Sequence, residues 1–283
     1  MHDNHQIVYT GFGSQHIEID CNNDEAYQLA SFLFSDFTYS DSSHPAIKFD
    51  IISVGNQPML SLWDGDKRLY FGDSRYQLAY ILMNEAIYHS IAKNDQQHAI
   101  HAGAVWKDGQ CILLPGSSGR GKSTLTAWLV KNGYQYLTDE LVFLSDDGQL
   151  TPLTRPVNLK VTATHFSWLL EKEHQDQIIS DKNGSMIPHR LLNPHFTAMK
   201  PHVTHVLFPE FQEGTELVCE KVSPARSSLY LMQSHVNARN LSGLGIPALS
   251  GIVRNCSSYK LTYGSFQDLE SLFNSSSSPF SEK

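Results

Sequence analysis

The chain has 283 residues, 41% hydrophobic and 18% charged, enough apolar material for one large domain or two small ones. Its net charge of −8 argues against a nucleic-acid-binding surface as the main function. The four cysteines (Cys21, Cys111, Cys219, Cys256) form no C-x-x-C pair, and no apolar run approaches the roughly 18 residues of a membrane span, so reduced thiols, a cytoplasmic location and no membrane partner are expected.

The opening Met1-His2-Asp3-Asn4-His5 lacks the apolar core of a signal peptide, and none is expected. Alternation predicts strands over 6–10 and 16–19. Leu29, Phe32 and Leu33 at helical spacing predict a helix over 25–35. Strand-like runs follow over 47–54, 59–63 and 68–71, with Asp64-Gly65-Asp66 as a hairpin signal between the last two. Ser74 reads as the cap of an amphipathic helix over 76–92, which carries Leu78, Ile81, Leu82, Ala86, Ile87 and Ile91.

After Asp95 the pattern becomes α/β. A strand over 99–106, a Lys107-Asp108-Gly109 turn and a strand over 110–114 lead into Gly116-Ser117-Ser118-Gly119-Arg120-Gly121-Lys122-Ser123-Thr124. This run fits G-x-x-x-x-G-K-[ST] without a mismatch, between an apolar strand and the helical Leu125-Thr126-Ala127-Trp128-Leu129-Val130. Glycines let successive N–H groups curl toward phosphate oxygens, and the helix N-terminus adds positive charge. Lys122 would reach the β- and γ-phosphates, and the Ser123 hydroxyl would hold Mg²⁺.

The helix stops at Asn132-Gly133, and the next strand ends at Tyr136-Leu137-Thr138-Asp139-Glu140, its acids starting seventeen positions after Lys122. Acids at a strand's C-terminal edge face the crevice of an open α/β sheet. One of the two can serve Mg²⁺, and the other can accept a proton from a hydroxyl nucleophile. His101 stands on the strand whose hairpin partner feeds the loop, which would bring it near the phosphates. Arg155, in Arg155-Pro156-Val157-Asn158-Leu159-Lys160, offers a cation for a transferring phosphoryl group.

Beyond that, a strand over 141–144, an Asp146-Asp147-Gly148 turn and a short strand over 157–161 are expected, then mixed helix and polar loop over 164–192. Strands over 202–208, 216–222 and 257–263 and helices over 227–238 and 267–273 complete the pattern, with a serine-rich, disordered tail over 274–283. His189, His195, His202 and His205 lack the carboxylate or cysteine spacing of a zinc site.

Taken together, His101-Ala102-Gly103-Ala104-Val105, the loop with its preceding Leu113-Leu114-Pro115, and Gly133-Tyr134-Gln135-Tyr136-Leu137-Thr138-Asp139-Glu140 resemble the HPr kinase/phosphorylase family. They look still closer to HPr-kinase-related proteins associated with peptide modification, which the 155–160 segment and Tyr259-Lys260-Leu261-Thr262-Tyr263-Gly264 also resemble. The match is clear over 99–160 and weaker to 273. The resemblance implies an α/β fold with a PEP-carboxykinase-like P-loop kinase core over 96–273. A smaller α+β region over 1–95 would precede it and could recognise substrate through an exposed strand edge. It further implies ATP- and Mg²⁺-dependent phosphorylation of a serine-type hydroxyl on a peptide or protein, including a ribosomally made peptide, with a homo-oligomer allowed. Asp139 matches the family's catalytic aspartate, Glu140 the second, metal-assisting acid, and His101 an active-site histidine. The downstream glycine-rich signature of true HPr kinases has no counterpart, and 1–95 does not resemble their N-terminal domain, so HPr itself is not carried over as substrate. A small-molecule hydroxyl kinase and a non-catalytic nucleotide-binding accessory protein remain the alternatives.

Overall fold

Alternating residues at the N-terminus pair as strands in a computed structural model that describes residues 5–12, 15–37, 47–54, 59–160, 172–275 and 278–280. The fold is mixed α/β, with three sheets and six α-helices among the described residues. The chain divides into two units, Met1–Asn94 with Thr154–Leu191, and Asp95–Leu153 with Leu192–Lys283. The segment 154–191, which the sequence reading groups with the C-terminal region, thus belongs with the first unit.

In the first unit, β1 (Gln6–Phe12) pairs antiparallel with β2 (Gln15–Cys21). Helix α1 (Asp24–Phe34) starts where the Asn23 side chain accepts the Ala26 N–H at 3.0 Å, and it buries Ala26, Leu29, Ala30, Leu33 and Phe34. Strand β3 (Ile47–Val54) lies parallel to β2, which requires a crossover connection, and α1 lies within it. Strands β4 (Met59–Asp64) and β5 (Lys67–Gly72) complete the sheet β1-β2-β3-β4-β5. Ser74 caps α2 (Arg75–Ala92), accepting the Gln77 N–H at 3.0 Å.

The second unit begins with β6 (His98–Lys107) and β7 (Gln110–Pro115), an antiparallel hairpin across Asp108-Gly109. Both turn residues have positive φ, as a two-residue hairpin loop matching the strand twist requires. Helix α3 (Lys122–Lys131), β8 (Gln135–Thr138), β9 (Leu141–Leu144) and β10 (Leu150–Pro152) follow.

The chain then returns to the first unit with β11 (Val157–Lys160), β12 (Ile179–Asp181) and β13 (Gly184–Ile187), an antiparallel sheet in the order β11-β13-β12. Mixed helix and loop were the expectation here; the part over 164–171 lies outside the described residues, and so does Val161. The β12–β13 hairpin was not expected. Its two-residue loop is fixed by a polar contact, the Asn183 N–H donating to the Asp181 carboxylate at 2.6 Å, and Asp181 also accepts from the Ser74 hydroxyl at 2.7 Å.

Back in the second unit, β14 (His205–Phe211) starts three residues later than the sequence pattern suggests. Strand β15 (Val218–Lys221), helices α4 (Pro224–Met232) and α5 (Ile246–Arg254), strand β16 (Ser257–Tyr263) and helix α6 (Phe266–Asn274) complete it. The sheet runs β10-β9-β6-β7-β14-β16-β15, and β8 pairs with β6. Strands β7, β14 and β16 are mutually parallel, and β7 and β14 bury near-continuous apolar runs, as strands covered on both faces do. Within the stretch expected to be disordered, Phe280 is buried and stacks on Phe273 at 4.8 Å, while 276–277 and 281–283 lie outside the described residues. No described helix is long and apolar enough to cross a membrane.

Candidate functional site

Strand β7 ends at Pro115, and the chain turns through 116–121 before α3 begins at Lys122. The turn depends on Gly119 and Gly121, at φ 89° and 86°, a left-handed conformation that costs glycine nothing and other residues strain. Residues 117–120 are exposed. Lys122 is 6% exposed, and its ammonium donates to the Ser117 carbonyl at 3.1 Å, spanning the loop from helix start to loop tip. Ser123 and Thr124, half-buried, open the helix beside it.

Strand register brings the acid pair to the same level. Ala102 of β6 faces Pro115 of β7, and the Ala102 N–H donates to the Glu140 carbonyl at 3.1 Å. Pro115, Ala102 and Glu140 therefore form a row across the sheet, with about 4.8 Å between neighbouring strands. Strands β8 and β9 both pair with β6, one along each half, and Asp139-Glu140 is the bend between them. The Thr138 hydroxyl holds that bend, accepting the Glu140 N–H at 3.1 Å and the Leu141 N–H at 3.4 Å.

Asp139 is 1% exposed and accepts a hydrogen bond from the Tyr136 hydroxyl at 3.1 Å. Burying a carboxylate is costly unless it is hydrogen-bonded, and Tyr136 supplies part of that compensation. Glu140 is more open. Its Oε1 lies 3.1 Å from Nδ1 of His101, with about a quarter of each side chain exposed. His101, Asp139 and Glu140 thus lie at the same end of the second unit's sheet as Pro115, from which the loop leads to Lys122 and Ser123 on α3.

Arg155 belongs to the first unit. It is 2% exposed, not the solvated surface arginine that composition would favour, and its charge acts on the Tyr76 phenol. Burial raises the Tyr76 pKa, while the Asn158 hydrogen bond and Arg155 oppose the rise.

Several supporting residues escape a sequence reading. Tyr136 and Thr138 sit inside the Tyr136-to-Glu140 stretch, and a threonine two residues before an acid is a local turn signal. Gly103 lies under α3, where a Cβ would come within 2.4 Å of the Thr126 hydroxyl, so it sets how closely the helix approaches β6. On the other flank, the Phe211 N–H donates to the Arg120 carbonyl at 3.4 Å, and Glu210 pairs with Arg120 and, at 3.0 Å, with Lys260.

No protein-family model matches the chain. No curated protein matches it. Among solved structures, it is similar to the HPr(Ser) kinase/phosphatase from Coxiella burnetii, with 13% identity, a TM-score of 0.31, and coverage of 60% of this chain and 89% of that one. A likeness at that level is a loose similarity of shape and carries no argument about chemistry.

Proposed function

We propose that the chain is an HPr-kinase-like phosphotransferase that moves the γ-phosphoryl of ATP to a serine-type hydroxyl of a peptide or protein. The observation behind this reading is the row formed by the glycine loop, Ala102 and the Asp139-Glu140 bend at one end of the second unit's sheet. A loop of this geometry cradles phosphate oxygens with backbone N–H groups, and Lys122 adds a charge that can exchange the Ser117 carbonyl for phosphate. The donor set of Ser123 hydroxyl and acidic oxygens is hard and suits Mg²⁺, with Ser123 and Glu140 as the proposed ligands. When bound, Mg²⁺ would neutralise charge on the phosphate oxygens.

Asp139 accepts the proton of the attacking hydroxyl in this scheme, and Tyr136 fixes the carboxylate that receives it. His101, beside Glu140, orients that second carboxylate. Lys122 and the loop N–H groups stabilise the charge that develops on the transferred group.

Transfer of label from ATP to candidate peptides, with mass spectrometry of a co-expressed neighbouring peptide, tests the reading. Lys122→Ala is expected to abolish nucleotide-dependent phosphorylation, and wild-type-like turnover by that variant would sink the assignment. Asp139→Asn should keep nucleotide binding and lose transfer. If Asp139→Asn stays fully active while Glu140→Gln loses transfer, the two carboxylates exchange roles. Transfer to small hydroxy compounds alone would point to a metabolite kinase, and nucleotide binding without transfer to any acceptor would point to an accessory protein.

A further inference from the structure

We infer that the phosphoryl donor carries a nucleobase and that this base stacks on Phe211, at the end of β14; the inference rests on the reading of 116–124 as a phosphate loop. Topology gives the direction. The acid bend lies on the β6 side of β7, so the transferring end of a donor points that way. The rest of the donor then runs across the loop toward the other neighbour of β7, the parallel strand β14, and toward β16 beyond it, two strands that end in register at Phe211 and Tyr263.

Those two positions differ from the rest of that end of the sheet. Phe211 is tied to the loop through Arg120, and a Cβ on Gly121 would come within 3.1 Å of its Cβ. Its ring is held from one side, edge-on to Tyr263 at 5.3 Å and nearly parallel to Phe266 at 6.4 Å. Even so, it is 40% exposed. A large aromatic ring packed on two neighbours and still partly exposed to water beside a phosphate loop is a stacking platform, and stacking on a base is tolerant of base identity.

Tyr263 adds an independent sign. Its side chain is fully buried, its hydroxyl has no hydrogen-bond partner among the described residues, and its oxygen lies 3.1 Å from the Cβ position of Gly121. A buried donor left unpaired is unfavourable, and this one is aimed at the loop, where an incoming ligand oxygen can accept from it. Glu210, paired with both Arg120 and Lys260, holds the rim between loop and strand ends.

The test is equilibrium binding of ATP and of inorganic tripolyphosphate, each with Mg²⁺, to the full chain and to the Phe211→Ala, Phe211→Trp and Lys122→Ala variants. Phe211→Ala should weaken ATP about tenfold and leave tripolyphosphate unchanged, the loss of one base–aromatic stack. Phe211→Trp should retain ATP affinity. Equal losses for both ligands would overturn the inference by making Phe211 a support of the loop alone. No loss for either would overturn it while leaving the phosphate-loop reading intact. Unchanged binding of both ligands to Lys122→Ala would overturn that underlying reading and this one with it.

Discussion

At the scale of single residues, the proposed scheme divides the candidate site into groups that would carry chemistry and groups that would aim them. Lys122, Ser123, Asp139 and Glu140 are legible in the sequence because their spacing along the chain is itself the signal. Tyr136 and Thr138 are not, since a tyrosine or threonine in a strand has an ordinary packing role until the partner of its hydroxyl is known. Thr138 accepts two backbone N–H groups at the acid bend, at 3.1 and 3.4 Å. Thr138→Val keeps the shape and leaves both donors without their acceptor, so a loss of about 1–3 kcal/mol is expected in denaturant unfolding. Turnover should fall more than nucleotide affinity, because the variant loosens the carboxylates and not the loop. Equal stability and equal turnover would show that the bend is held by the strands alone.

At the scale of elements, boundaries follow from local chemistry where caps and hairpin turns mark them. Asn23 and Ser74 start α1 and α2, and Asp108-Gly109 closes β6 onto β7, all from side-chain or dihedral preferences readable in sequence. The β12–β13 hairpin and α5 were not legible. Strands of three and four residues give too little alternation to register, and α5 contains Pro247 and Gly251, residues that read as breakers. The packing of α3 on β6 gives a direct prediction. Gly103→Ala drives a Cβ to within 2.4 Å of the Thr126 hydroxyl, and overpacking of this kind costs about 1–3 kcal/mol. Adding Thr126→Ala removes the obstructing atom, so the double variant should recover much of the loss in a thermal melt. An additive double variant would mean that the helix does not rest on Gly103.

At the scale of the whole molecule, stability should depend on pH through half-buried histidines of the second unit. Burial, and then the charge of neighbouring His98, brings His235 down to about 4, against a raising hydrogen bond from Asn237. Burial also lowers His205. The unfolded chain, with histidines near about 6.5, binds protons that these folded groups refuse. The stability they contribute is therefore complete above about 6.5 and is lost as pH falls toward 4 for His235, at no more than about 1.4 kcal/mol per pH unit and per proton. Melting curves between pH 7 and 4 should show this decline, with a shallower slope in His235→Gln; an unchanged slope would remove His235 as a source. The sequence by itself determined the loop, its lysine and the acid pair, because the motif and its strand–loop–helix setting are local in the chain. Only the tertiary structure decided that Ala102, Pro115 and Glu140 share one level, that Arg155 and the rest of 154–191 join the first unit, and that Phe211 and Tyr263 end beside Gly121. Those juxtapositions come from strand register and from packing between distant segments, and neither leaves a local trace in the order of residues.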